Sequence, residues 1–162
     1  MNDNGKALKP ASQRVEAAAH ALGLDIRILT MDQSTRTAEE AAAACGCGVG
    51  QIVKSLVFRG KTSGRPYLLL VSGSNRVNEK AVSGIIGEGL GRPDAQYVRD
   101  MTGYAIGGIP PVGHASPITT FMDQDLLAYD IVWAAAGTPE SVFSVNPADL
   151  RDKAGAVVLA VV

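Results

Sequence analysis

The sequence predicts a mixed α/β domain in which a curved, largely antiparallel, barrel-like sheet carries helices on its outside. Three observations lead there. Strand-like runs, about six or seven, outnumber about four helical ones. The two kinds come in irregular order, without the alternation that marks a doubly wound fold. The seven residues 60–66 join two strand-like runs and are too few for a parallel crossover, so those strands form an antiparallel hairpin. The chain has 162 residues, 46% of them hydrophobic, enough for one domain with a real core and too apolar for disorder. Aromatics make up only 5%, so Ala, Val, Ile and Leu must build that core.

The elements follow in order. Residues 1–11 are polar and read as a frayed tail, and residues 12–162 as the domain. Ser12 can cap a helix whose Val15, Ala18, Ala19 and Leu22 share a face, closed by Gly23, with His20 off that stripe on the surface. Residues 25–30 form a short strand. Thr37, with Glu40 three residues on, is a capping-box start for an Ala-rich helix that stops at Gly46. The β-branched run 52–59 and the run 67–72 are the hairpin strands. Asn78 caps a helix to about Ile86, and residues 87–93 are a loop. Residues 118–122, 131–135 and 141–145 are strands. Asn146 before Pro147 starts a short helix to about Lys153, and residues 157–162 end the chain as a strand.

Standard signatures are mostly absent: no phosphate-binding P-loop, no serine nucleophile elbow, no paired metal-binding histidines. The glycine clusters 46–50 and 87–91 lack the strand-to-helix context of nucleotide loops. Cys45 and Cys47, one residue apart, have only His20 and His114 as further soft ligands, so reduced thiols are expected rather than a zinc site. No apolar run nears the roughly 20 residues of a spanning helix, and the first ten residues hold no apolar signal segment. A cytoplasmic location without membrane attachment is the expectation. Net charge is −1, but residues 54–99 hold eight basic and three acidic side chains, about +5, whereas residues 100–162 hold seven acidic and two basic, about −5. That asymmetry allows one anion-binding face, or simply solvated charge.

Two features stand out. In a strand of period two, Lys54 shares a face with Ile52 and Leu56, opposite Val53, Ser55 and Val57. It is either a partly buried cation that needs a partner or a task, or a lysine guarding a sheet edge. Residues 103–114 hold four glycines and two prolines. Such a loop can aim fixed backbone N–H groups at a carbonyl or phosphate, or can be a wide turn. His114 at its end is an acid/base candidate or a hydrogen-bonding support.

These residues resemble a known family. The run Gln51-Ile52-Val53-Lys54-Ser55-Leu56-Val57-Phe58, the run Thr102-Gly103-Tyr104 leading into Gly107-Gly108-Ile109-Pro110-Pro111-Val112-Gly113-His114, and the helix beginning Thr37-Ala38-Glu39-Glu40 are similar to the YbaK-type aminoacyl-tRNA editing domains. These are freestanding relatives of the editing domain of bacterial prolyl-tRNA synthetases. The resemblance spans roughly Ser12 to the C-terminus. It implies the editing-domain fold, no cofactor, no metal, and hydrolysis of the ester of a mischarged tRNA. The carrier it implies is commonly tRNA(Pro), bearing a small wrong amino acid (Ala, Cys, Ser or Thr), with prolyl-tRNA synthetase as a further partner. The family's strand lysine matches Lys54 and its G-x-x-x-P loop matches residues 107–111. Lys54, Gly107 and Gly108 are thereby the catalytic candidates, and Lys54, Ile109, Pro110, Pro111, Gly113 and His114 the substrate-binding ones. The resemblance also implies that the substrate's free ribose hydroxyl helps activate water. Some relatives carry an aromatic residue after the first strand, where this chain has Thr30-Met31-Asp32, so the amino acid removed is left open. The alternative is a non-catalytic module of the same fold that binds tRNA or a synthetase.

Overall fold

The computed structural model describes residues 7–162. Residues 1–6 of the expected tail lie outside the described residues, and the rest of that tail is ordered: Leu8 is buried and Pro10 opens a helix. In chain order the elements are α1 (Pro10–Ala21), β1 (Ile28–Thr30), α2 (Ala38–Cys45), β2 (Val53–Gly60), β3 (Pro66–Ser72), α3 (Glu79–Ile86), β4 (Leu90–Gly91), α4 (Ala95–Thr102), β5 (Thr119–Asp123), β6 (Val132–Ala135), β7 (Ser141–Val145), α5 (Pro147–Ala154) and β8 (Val157–Leu159).

The strands form two sheets, one of order β4-β2-β3-β5-β8 and one of order β1-β7-β6. Four of the six pairings are antiparallel, and β3–β5 and β5–β8 are parallel. The hairpin of β2 and β3 is antiparallel as expected, in register from Val53 opposite Ser72 to Arg59 opposite Pro66. The parallel β3–β5 step is possible because α3, β4 and α4 fill the crossover. The strands lie in two open sheets, and no sheet closes into the expected barrel. Among the described residues one isolated β-bridge, from Ile52 to Trp133, joins them.

Between the sheets lies the larger core, where Leu68, Leu70, Met122 and Phe143 meet Val15 and Ala19 of α1 and Leu150 of α5. The other face of the five-stranded sheet packs Phe58, Leu69, Val71 and Leu159 against Val82 of α3. This explains why residues 67–71 are apolar without alternation: β3 is the central strand, and Leu68, Leu69, Leu70 and Val71 are all fully buried.

Several local expectations need correction. Ser12 does not cap α1. The cap position is Lys9, and Ser12 is buried inside the helix with its hydroxyl donating to the Ala136 carbonyl (2.7 Å). Leu22, placed on the buried stripe, is exposed. The element α4 was not anticipated, although Asp94 caps it through the Tyr97 N–H (2.8 Å) and Gly103 closes it. The two-residue β4 lies inside the expected loop 87–93. The caps read from Thr37, Asn78 and Asn146 are all present.

Candidate functional site

The site arises from the way the sheets part. Beyond the bridge from Ile52 to Trp133, β2 pairs with no strand of the three-stranded sheet, and β4 pairs with it only at Arg59 and Gly60. The stretch 53–58 of β2 therefore has β3 on one side and no named strand on the other. A cavity of about 390 Å³ opens in this gap. Ile52 and residues 53–56 of β2 form one wall and Trp133, Ala134 and Ala135 of β6 the facing one. The start of α2 (Thr37, Ala38, Glu39, Ala41) and the loop residues Ile106, Gly107 and Ile109 complete it. Its deeper residues, Val53, Ala134, Val142 and Ile109, are buried, while Arg36, Glu39 and Ile106 are exposed at its rim.

Lys54 lies on this wall, so it is both on an edge stretch of β2 and half-buried. Its neighbours Val53 and Val57 face the larger core, as the alternation predicts. The ammonium donates to the backbone carbonyl of Asn75 (2.5 Å). Burial pushes the Lys54 pKa below its ordinary value, Glu39 and Asp123 pull it back up, and Arg76 pushes it down again.

The Gly/Pro loop is held from behind. Gly107 has φ +99°, and the Arg36 side chain lies across it, within 3.1 Å of where a Cβ would stand. No hydrogen bond among the described residues takes up the Gly107 N–H. Gly108 differs. Its N–H donates to the Ala105 carbonyl (3.1 Å) and its carbonyl accepts the Gly137 N–H (2.9 Å). A Cβ on Gly108 would meet the Gly137 backbone at 2.8 Å. Pro110 and Pro111 are buried, and Gly113 packs on Ala18 of α1 with its carbonyl accepting the Tyr104 hydroxyl (3.1 Å). His114 Nε2 donates to the Pro110 carbonyl (2.7 Å), and burial lowers the His114 pKa against that bond.

Of the candidates read from the sequence, Lys54, Gly107 and Ile109 thus come together on one cavity. Gly108, Pro110, Pro111, Gly113 and His114 do not line it. They brace the loop, and the Gly108 N–H is already spent within it. Arg36, Glu39 and Trp133 line the cavity and were not singled out as site residues. Glu39 was read only as part of a helix start, and nothing in the local sequence of Arg36 or Trp133 shows that they line the same cavity as Lys54. Cys45 and Cys47 lie outside the lining. Burial, then the neighbouring Cys47, raises the Cys45 thiol to about 11, so it holds almost no thiolate near neutral pH. Among the described residues no group of three or more His, Cys, Asp or Glu side chains is placed to hold a metal, and no helix is long and apolar enough to cross a membrane.

The fold and site define the class first: an α/β domain with a small, mostly apolar cavity between two parting sheets, furnished with one ammonium and one rigid glycine loop. Within that class the chain belongs to the aminoacyl-tRNA editing domain family, whose model matches residues 32–153. A crystal structure described as that of "a putative trans-editing enzyme for prolyl tRNA synthetase" superposes with a TM-score of 0.90 at 45% identity, covering 95% of this chain and 98% of the other. The protein YwhH of Bacillus subtilis is 27% identical over 125 residues, 77% of this chain and 79% of its own length. The Enterococcus faecalis protein named "Putative Cys-tRNA(Pro)/Cys-tRNA(Cys) deacylase EbsC" is 25% identical over 121 residues, 68% of this chain and 72% of its own length.

Proposed function

We propose that the protein is a trans-editing deacylase that hydrolyses the ester of a mischarged tRNA, with tRNA(Pro) carrying Ala, Cys, Ser or Thr as the substrate. The observation that carries this reading is the juxtaposition of Lys54 and Gly107 on one cavity of about 390 Å³. That volume is near the lower end of the roughly 300–1,000 Å³ typical of small-ligand sites. It suits the aminoacyl end of a tRNA and leaves the rest of the nucleic acid outside, on the rim.

An aminoacyl ester is already activated, so the protein need only orient it, admit water and stabilise the developing charge. The Lys54 ammonium holds a phosphate or ribose oxygen of the terminal nucleotide. The free Gly107 N–H donates to the ester carbonyl as it becomes an oxyanion. Water adds to the carbonyl carbon, the bond to the ribose oxygen breaks, and that oxygen leaves with a proton. No thiol is needed as nucleophile, which agrees with the high Cys45 value and the place of both cysteines outside the cavity. Ile109, Val142 and Ala134 close the cavity floor and favour a small side chain. The relative named as a deacylase of Cys-tRNA(Pro) and Cys-tRNA(Cys) supports this substrate class.

The test is release of amino acid from tRNA(Pro) charged in turn with Ala, Cys, Ser, Thr and Pro. The expected result is turnover of at least one wrong ester and not of Pro-tRNA(Pro). A folded protein that binds tRNA but releases nothing from any of them is instead a docking module. Turnover of free aminoacyl esters with no gain from the tRNA body defines a different esterase.

A further inference from the structure

Behind Lys54 lies a hydrogen-bonded chain that does not line the cavity. Asn75, whose backbone carbonyl accepts from the Lys54 ammonium, sits in the turn that follows β3, with its N–H donating to the Ser72 carbonyl (2.9 Å). Its side-chain amide donates to the carboxylates of Asp123 (2.8 Å) and Asp125 (2.7 Å). Asp123, at the end of β5, is 1% exposed. One of its oxygens also accepts the Ser72 N–H (3.0 Å) and the other the Asp125 N–H (2.9 Å). No described cation forms an ion pair with Asp123. Three hydrogen bonds satisfy that buried carboxylate, and its charge raises the Lys54 pKa across the turn.

We propose that Asn75 and Asp123 are positioning residues for Lys54: the buried carboxylate pins the Asn75 amide, and the pinned turn holds the Lys54 ammonium at the cavity wall. An ammonium has three donors. With one spent on the Asn75 carbonyl, two are left for the phosphate or ribose oxygen of a bound substrate. The chain joins β2, β3 and β5, three neighbouring strands of one sheet, so the placement of the ammonium is set by rigid elements rather than by a loop alone.

The charges facing Lys54 come from each element around it. Glu39 of α2 and Asp123 of β5 favour the ammonium, while burial and Arg76, just past the β3 turn, oppose it. Removing the Asp123 charge therefore lowers the Lys54 pKa further. Loosening the Asn75 carbonyl, which accepts from the charged form, shifts it in the same direction.

The measurement is an NMR titration of the Lys54 side chain, its resonance identified by its loss in Lys54→Arg. It is made on the full chain as wild type, Asp123→Asn, Asn75→Ala and the surface control Glu79→Gln. The expected result is a lower midpoint in Asp123→Asn and in Asn75→Ala, with no change in Glu79→Gln. Should Asp123→Asn fail to fold, Asn75→Ala, which keeps the buried carboxylate, decides alone. An unchanged midpoint in the folded variants overturns the proposal. What Lys54 holds rests on the deacylase reading, but how Lys54 is held does not, and the titration needs no activity. With mischarged tRNA, Asn75→Ala should raise KM about tenfold, the worth of a displaced charge-assisted hydrogen bond, with little change in kcat. The alkaline limb of kcat/KM should move to lower pH in both variants. A moved midpoint in a protein without deacylase activity sinks the function and leaves the positioning role standing.

Discussion

At the scale of single residues, Lys54 and His114, both candidate site residues, differ in their partners. Lys54 meets one carbonyl and faces a cavity. His114 spends Nε2 on the Pro110 carbonyl and does not line that cavity. Lys54→Ala is expected to lower kcat/KM on mischarged tRNA by about 10- to 100-fold, the loss of one or two charge-assisted hydrogen bonds to substrate. Its melting temperature should stay within a few degrees of wild type, because removing a half-buried ammonium also removes its desolvation cost. Circular dichroism melts beside the deacylation assay check both halves. The period-two pattern was enough to single out Lys54. Its partner Asn75 was not legible, because it stands 21 positions away across a hairpin.

At the scale of elements, the loop 107–114 is stiff because other elements back it. The Gly137 turn lies against Gly108, the start of α1 lies against Gly137, and α1 also carries Ala18 against Gly113. Gly108→Ala should therefore cost about 1–3 kcal/mol, since the added Cβ meets backbone that cannot swing aside. Chemical denaturation measures that, and a variant as stable as wild type would mean that the two turns separate freely. The β2–β3 hairpin has its own fastening. The Glu88 carboxylate accepts from the Thr62 and Ser63 N–H groups (both 3.0 Å), the Ser63 hydroxyl (2.7 Å) and the Tyr67 hydroxyl (2.6 Å). The Tyr67 bond leads in lowering its pKa from 4.5 to about 2. The folded value lies below the unfolded one, so this stabilisation is complete above about pH 4.5 and fades as pH falls toward 2. The stability difference between wild type and Glu88→Gln, followed by urea midpoints, should shrink over that window. A constant difference would remove Glu88 from the hairpin's stability. The helix caps at Thr37, Asn78 and Asn146 were readable because capping is local chemistry. The helix α4 carries the same local signals in Asp94 and Gly103.

At the scale of the whole molecule, charge asymmetry is the feature that bears on the partner. The excess of basic residues in 54–99 includes Arg59, Lys61 and Arg92 at the hairpin end of the five-stranded sheet. If two or three phosphates are met there, raising salt from 50 to 200 mM should lower kcat/KM on mischarged tRNA about ten- to fortyfold. Hydrolysis of a free aminoacyl ester should barely change, and equal salt sensitivity of the two substrates would show that the tRNA body makes no such contacts. The sequence by itself determined the mixed α/β class, the hairpin, most helix starts, the family and three of the residues that meet in the cavity, Lys54, Gly107 and Ile109. Those follow from local propensity, periodicity and the order of motifs along the chain. Only the tertiary structure decided that the sheets part instead of closing, that Ser12 anchors a distant turn, and that Gly108 spends its N–H inside the loop. It alone also brought Arg36 to the cavity and Glu39, Asn75 and Asp123 around Lys54. These depend on which strand edges are left without partners and on contacts between residues far apart in the chain, and no local pattern encodes either.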